Sequence, residues 1–88
     1  MPEYRIQFTA KADRQLRKLS RGTQKKLSAA VDALASDPRP AGARYLRGRE
    51  DLWRIRVGAY RIVYAIEDDR LVIVLVKLGH RRDVYRGS

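Results

Sequence analysis

Residues 52–64, LWRIRVGAYRIVY, alternate apolar and polar side chains on both sides of Gly58-Ala59. Alternation with a period of two marks a half-buried strand, and a two-residue loop closes two such strands into a β-hairpin. The loop length then fixes the pairing. Val57 faces Tyr60, Arg56 faces Arg61, Ile55 faces Ile62, Arg54 faces Val63 and Trp53 faces Tyr64. Glycine at the first loop position suits a type II′ turn. This register puts Trp53, Ile55, Val57, Tyr60, Ile62 and Tyr64 on one face and Arg54, Arg56 and Arg61 on the other. Arg56 and Arg61 are direct neighbours across the ladder, where like charges destabilise by a few tenths of a kcal/mol to about 1 kcal/mol. One reading is a solvated, arginine-rich sheet face. The other is a phosphate site, because the guanidinium fork matches phosphate and stays charged at any working pH.

The charge balance extends that reading. The 88-residue chain carries 20 Lys+Arg against 10 Asp+Glu, and fifteen of those cations are arginine. A net charge of +10 implies a polyanionic partner, either nucleic acid or an acidic protein. Residues 1–50 hold 12 of the cations and 5 of the anions, so most of the excess lies ahead of the hairpin. No apolar run approaches the ~18 residues of a membrane span, so a membrane partner is not expected. The 44 % apolar content is that of a folded protein, and the length is that of a single domain over residues 1–88. There is no cysteine, hence no disulfide and no thiolate chemistry. The opening residues, MPEYRIQF, lead straight into a strand pattern without a signal peptide, and a cytoplasmic setting is expected.

The remaining elements follow from periodicity. Tyr4, Ile6 and Phe8 alternate as a first strand. Thr9 is a suitable N-cap for a helix over 10–19, with Ala12, Leu16 and Leu19 on its core stripe. A break at Ser20-Arg21-Gly22 precedes a second helix over 23–36, whose stripe is Leu27, Ala30, Val31 and Leu34. Asp37-Pro38-Arg39-Pro40 ends it. So short a link predicts an antiparallel helical hairpin. Tyr45-Leu46-Arg47-Gly48 is a short strand or an extended lead-in. Residues 71–78, LVIVLVKL, are apolar on both faces, as in a central strand covered on both sides. The helices supply one cover; the C-terminal segment or a partner would supply the other. Gly79 opens a polar tail, GHRRDVYR. The fold class is α+β, ordered β-α-α-β-β-β, with the two-helix hairpin on one face of a small, mainly antiparallel sheet.

These residues, in this order, resemble the RelE/ParE superfamily of type II toxin–antitoxin toxins. The most specific segments are GAYRIVY at 58–64 and GHRRDVY at 79–85. The resemblance implies the RelE-like microbial RNase fold and one of two activities: ribosome-dependent cleavage of mRNA, or poisoning of DNA gyrase. It also allows an inactive member that only binds its antitoxin. In RelE-like members the cleft uses two basic residues on the first hairpin strand, an arginine on the second, an arginine after the last strand's glycine, and a C-terminal tyrosine. Here these positions match Arg54, Arg56, Arg61, Arg81 and Tyr85. The first two are lysine in the best-known type. Arginine clamps phosphate but effectively never serves as a base.

For an RNase the resemblance implies attack of a ribose 2′-OH on the adjacent phosphate, with no metal and no cofactor. Arg56, Arg61 and Arg81 suit the phosphorane charge. His80, as the one histidine, is a possible acid or base, although a strand that turns Arg81 into the cleft turns His80 away. Tyr85, ringed by cations, would have its phenol pKa lowered, or would stack on a base. Lys18, Arg21, Lys25, Lys77 and Arg82 are expected to bind RNA. The implied partners are an acidic antitoxin, forming a hetero-oligomer with the toxin, and the ribosome with its mRNA and rRNA.

Overall fold

The computed structural model describes residues 3–46, 48 and 51–83. Within them the order is β1 (Arg5–Phe8), α1 (Ala10–Arg17), α2 (Arg21–Ser36), β2 (Arg44–Tyr45), β3 (Leu52–Val57), β4 (Tyr60–Glu67) and β5 (Val72–His80). The strands form one sheet in the order β1-β5-β4-β3-β2. β3, β4 and β5 are the expected antiparallel meander, and β1 joins it parallel to β5, which makes the sheet mixed. The class is α+β, with both helices on one face.

The hairpin register agrees pair for pair with the sequence expectation, from Trp53 opposite Tyr64 to Val57 opposite Tyr60. Gly58 has φ +61° and no positive φ occurs at Ala59. A positive φ at the first loop position alone is the type II′ signature. Ile55, Ile62 and Tyr64 are buried in the main core with Leu27, Val31 and Leu34 of α2, Ala12 of α1, and Ile73, Leu75 and Leu78 of β5.

Element boundaries moved where local hydrogen bonding outweighed pattern. Thr9 caps α1 as expected, its Oγ1 accepting from the Ala12 N–H at 3.1 Å. That helix stops at Arg17 rather than 19, because Gln24 Nε2 of α2 donates to the Leu19 carbonyl at 2.8 Å and the Arg17 carbonyl at 3.2 Å. α2 begins at Arg21, not 23, because Ser20 is its N-cap and accepts from the Thr23 N–H at 3.3 Å. Gly22 therefore sits inside the first turn instead of breaking the chain. β5 runs through Gly79 and His80, so these are strand residues and not the start of a tail. The C-terminal segment proposed as a second cover lies largely outside the described residues. Among those described, a second, smaller cluster covers the arginine face: Leu52 and Val63 with Leu46, Ala65 and Val76.

The loop after α2 is fastened to the sheet. Tyr64, with no exposed surface, donates to the Pro38 carbonyl at 2.7 Å. Arg39 lies over the Trp53 ring at 5.1 Å and pairs with Asp68 at 2.9 Å. Asp68 also accepts from the Tyr4 hydroxyl at 2.6 Å. The Arg39 guanidinium, and then that hydroxyl, hold the Asp68 carboxyl below its ordinary pKa.

Burial pushes the Tyr64 hydroxyl up to about 12. A phenol whose folded pKa exceeds its unfolded value favours the folded state below the unfolded pKa, near 10, and that contribution is lost as pH rises toward 12. Tyr64→Phe is expected to lower stability by about 1–2 kcal/mol at pH 7, since it strands the Pro38 carbonyl. It should also flatten the loss of stability between pH 10 and 12. Chemical denaturation across that range checks both effects.

Candidate nucleic-acid interface

Arg54, Arg56 and Arg61 share the sheet face that points away from the helices, because their strand neighbours fill the helical core. The short strand β2 adds a residue that the sequence did not single out. Arg44 pairs directly with Arg54, which puts it on the same face. Two cross-strand arginine pairs thus lie side by side, Arg44 with Arg54 and Arg56 with Arg61. Arg44 was not legible because a two-residue strand has no period to read. The Arg61 guanidinium is tied to the hairpin loop, donating to the Tyr60 carbonyl at 3.0 Å and the Gly58 carbonyl at 3.3 Å. Arg54 is half-buried. Its Nη1 is buried without a hydrogen-bond partner, the one such side-chain atom among the described residues. A stranded buried donor costs about 1–3 kcal/mol, and more on a charged group.

β5 reaches this face through a bulge. Val63 pairs with Lys77 but Tyr64 pairs with Leu75, so Val76 is an extra residue. Ile73 and Leu75 point into the helical core before it, and Leu78 does so after it. The alternation has flipped. Without the flip Leu78 would face the arginines and Lys77 the core. With it, Lys77 faces Val63 and Gly79 faces Arg61. The Arg81 N–H then donates to the Ala59 carbonyl at 2.8 Å, anchoring the end of β5 to the loop that also holds Arg61. Bulges commonly re-aim side chains in this way.

Helix α1 supports the bulge. β1 ends opposite Leu75, and beyond it two α1-side residues take over the backbone of β5. Thr9 Oγ1 donates to the Val76 carbonyl at 2.9 Å, and Gln15 Oε1 accepts from the Leu78 N–H at 2.8 Å. Neither role is visible in the sequence, because a bulge depends on register between distant segments.

The other expected site residues divide. His80 pairs with Tyr60, on the helical face, with ring centroids 5.8 Å apart edge to face. Its Nδ1 accepts from the Arg82 N–H at 3.2 Å. The structure therefore separates His80 from the arginines. Lys18, Arg21 and Lys25 are exposed on the helical layer. Arg21 and Lys25 line a shallow depression there with Gln24 and Ser28. Arg82 is exposed in the turn after β5. Tyr85 lies outside the described residues. Among the described residues no three His, Asp or Glu side chains converge as metal ligands, and no helix is long and apolar enough to cross a membrane.

With this geometry in hand, comparison with known proteins decides the family. Residues 6–85 match the family model described as the ParE toxin of the type II toxin–antitoxin system parDE. The chain belongs to that family. Within it the similarities are to RelE-type members. Toxin RelG of Mycobacterium tuberculosis is 32 % identical over 87 residues, covering 94 % of this chain and 97 % of that protein. The mRNA interferase toxin RelE of Escherichia coli K12 is 29 % identical over 80 residues, covering 89 % of this chain and 83 % of that protein. Among solved structures, the M. tuberculosis RelBE2 toxin–antitoxin complex superposes with a TM-score of 0.83 at 28 % identity, covering 94 % of this chain and 97 % of that one. The chain is a RelE-like type II toxin.

The support from α1 is separable from the cleft. Gln15→Leu and Thr9→Val should each cost about 1–2 kcal/mol by stranding a β5 backbone group, whereas Gln15→Glu keeps an acceptor and should cost less. Hydrogen exchange at the Leu78 amide should accelerate in Gln15→Leu. Unchanged protection there would show that the bulge holds without Gln15.

Proposed function

We propose that this toxin is a ribosome-dependent mRNA endoribonuclease that arrests translation. The observation that carries the reading is the arginine face. Arg54, Arg56 and Arg61 lie together on a rigid hairpin, and the β5 bulge brings the backbone of Arg81 to the same loop. Two like-charged pairs on one face repel each other, and a phosphodiester would offset that repulsion. Similarity to a toxin named as an mRNA interferase points the same way.

In the proposed reaction the ribose 2′-OH attacks the neighbouring phosphorus and the 5′ oxygen leaves. The products are a 2′,3′-cyclic phosphate and a 5′-OH. Arg54 and Arg56 hold the phosphate, and Arg56, Arg61 and Arg81 face the extra charge of the phosphorane. Preorganised donors of this kind each contribute about 2–4 kcal/mol. Arg61 is preorganised in a literal sense, since two loop carbonyls restrict its guanidinium. Proton transfer falls to Tyr85 in preference to His80, whose ring packs against Tyr60 on the other face. An arginine clamp with no strong base depends on orientation of the substrate, and the ribosome supplies it by holding the message for in-line attack. Lys18, Arg21 and Lys25, on the helical layer, then serve as contacts to ribosomal RNA.

The antitoxin belongs to the same proposal. The Escherichia coli, Mycobacterium tuberculosis and Pyrococcus horikoshii neighbours were solved as toxin–antitoxin complexes. A chain of net charge +10 calls for an acidic counterpart, and a cytoplasmic hetero-oligomer follows. A second reading, a gyrase-binding toxin, is favoured by the family model's ParE name and by arginine at both basic positions of β3.

Brief expression followed by mapping of mRNA 5′ ends separates the two. New 5′-OH ends within translated codons are expected. Arg61→Ala and Arg81→Ala should each reduce cleavage about 10²–10³-fold, corresponding to the loss of one such donor. Growth arrest with intact messages and DNA breaks would overturn the nuclease reading in favour of gyrase.

A further inference from the structure

A groove of about 360 Å³ opens where β2 ends and the edge of β3 continues, a size within the range of small-ligand pockets. Arg44, Arg54 and Arg56 line it, and Ala30 and Ala33 of α2 with Ile55 and Val57 supply an apolar wall. We propose that this groove is a nucleotide subsite: Arg44 and Arg54 take the phosphate next to the cleaved one, and the alanine wall takes its base or ribose. The inference rests on the nuclease reading for the identity of the strand and goes beyond it by adding Arg44 and the groove.

Three observations converge. First, Arg44 stands opposite Arg54, so the line of guanidinium forks begun by Arg56 and Arg61 continues without a break to the sheet edge. Second, Arg54 lines the groove and its Nη1 is a buried donor without a hydrogen-bond partner, a demand that an anion bound beside it would meet. Third, α2 contributes only alanine side chains to the wall, and Ala33 is exposed. Single-stranded RNA offers splayed bases to such pockets beside its phosphates. An acidic peptide added to the sheet edge fits less well. β2 already pairs at Trp53 and Arg54, which leaves only Ile55, Arg56 and Val57 open. That length is short for a strand.

The test uses the full chain and a hexaribonucleotide with 2′-O-methyl riboses, which cannot be cleaved by 2′-OH attack, at low ionic strength. Amide shifts are expected at Ala33 and Gly42 together with Arg56. Arg44→Ala should weaken binding about 5–10-fold and lower the slope of log K against log salt by roughly 0.7, the value for one phosphate contact on a single strand. Ala33→Trp fills the groove from an exposed helix position, so it should weaken binding while leaving the thermal midpoint unchanged. Unchanged affinity and salt slope in both variants, with shifts confined to Arg61 and the hairpin loop, would overturn the subsite. So would groove shifts produced by an acidic decapeptide and not by the RNA. Loss of RNA binding in Arg44→Ala by a toxin that cuts no message in cells would support the subsite and overturn the nuclease reading, so the two fail separately.

Discussion

Everything on the functional face depends on the register of one hairpin. Gly58 adopts a positive φ that a side chain rarely tolerates, and the two-residue loop it allows forces Val57 opposite Tyr60. Because strand side chains alternate, that single constraint sorts every residue from Leu52 to Ala65 between core and cleft. Ile55, Ile62 and Tyr64 are 7 %, 0 % and 0 % exposed, and a slip by one residue would expose them and bury the arginines. Burial of one such side chain is worth about 1.5–3 kcal/mol. An opposed arginine pair costs at most about 1 kcal/mol. The hydrophobic face therefore dictates the register, and the electrostatic cost on the other face is carried along with it.

The second determinant lies far from the hairpin in sequence. A regular β5 would present Leu78 to the arginines. One extra residue, Val76, reverses the alternation, so the same strand buries Leu75 and Leu78 on the helical side and sets Gly79 against Arg61. Beyond the end of β1 two backbone groups of this strand lack a strand partner, and Thr9 and Gln15 meet both. Thr9 has a double role, since the same Oγ1 caps its own helix. The first helix is thereby coupled to the end of the strand that precedes Arg81. A helix read from sequence as an amphipathic cover is also a brace for the end of β5.

How much of this was legible follows from the range of each interaction. The hairpin register, the Thr9 cap and the helical core stripes rest on neighbours within a few residues, and the chain displays them directly. The family resemblance supplied the long-range order of elements. The parallel pairing of β1 with β5, the bulge and the placement of Arg44 involve residues more than eight apart, and no local pattern encodes them. His80 shows both sides of this. Strand alternation indicated that it and Arg81 would diverge, and its packing on Tyr60 agrees. The extension of β5 through His80 is not legible because Gly79 reads as a terminator, whereas here it continues the strand opposite Arg61.

The chemistry of arginine explains why the excess of charge on this face is tolerable. Arginine forks at 44, 54, 56 and 61 repel one another, and one of them keeps a buried N–H without an acceptor. Both penalties fall on the free toxin and both are relieved by any well-placed anion. A ligand that binds only the folded state adds its binding free energy to stability. An acidic antitoxin and an RNA backbone would draw on the same relief, so occupancy of this face by one excludes the benefit to the other. Lysine would weaken this logic, because an ammonium among cations can shed its proton and escape the repulsion. Arginine cannot, so the face stays charged and stays in need of an anionic partner.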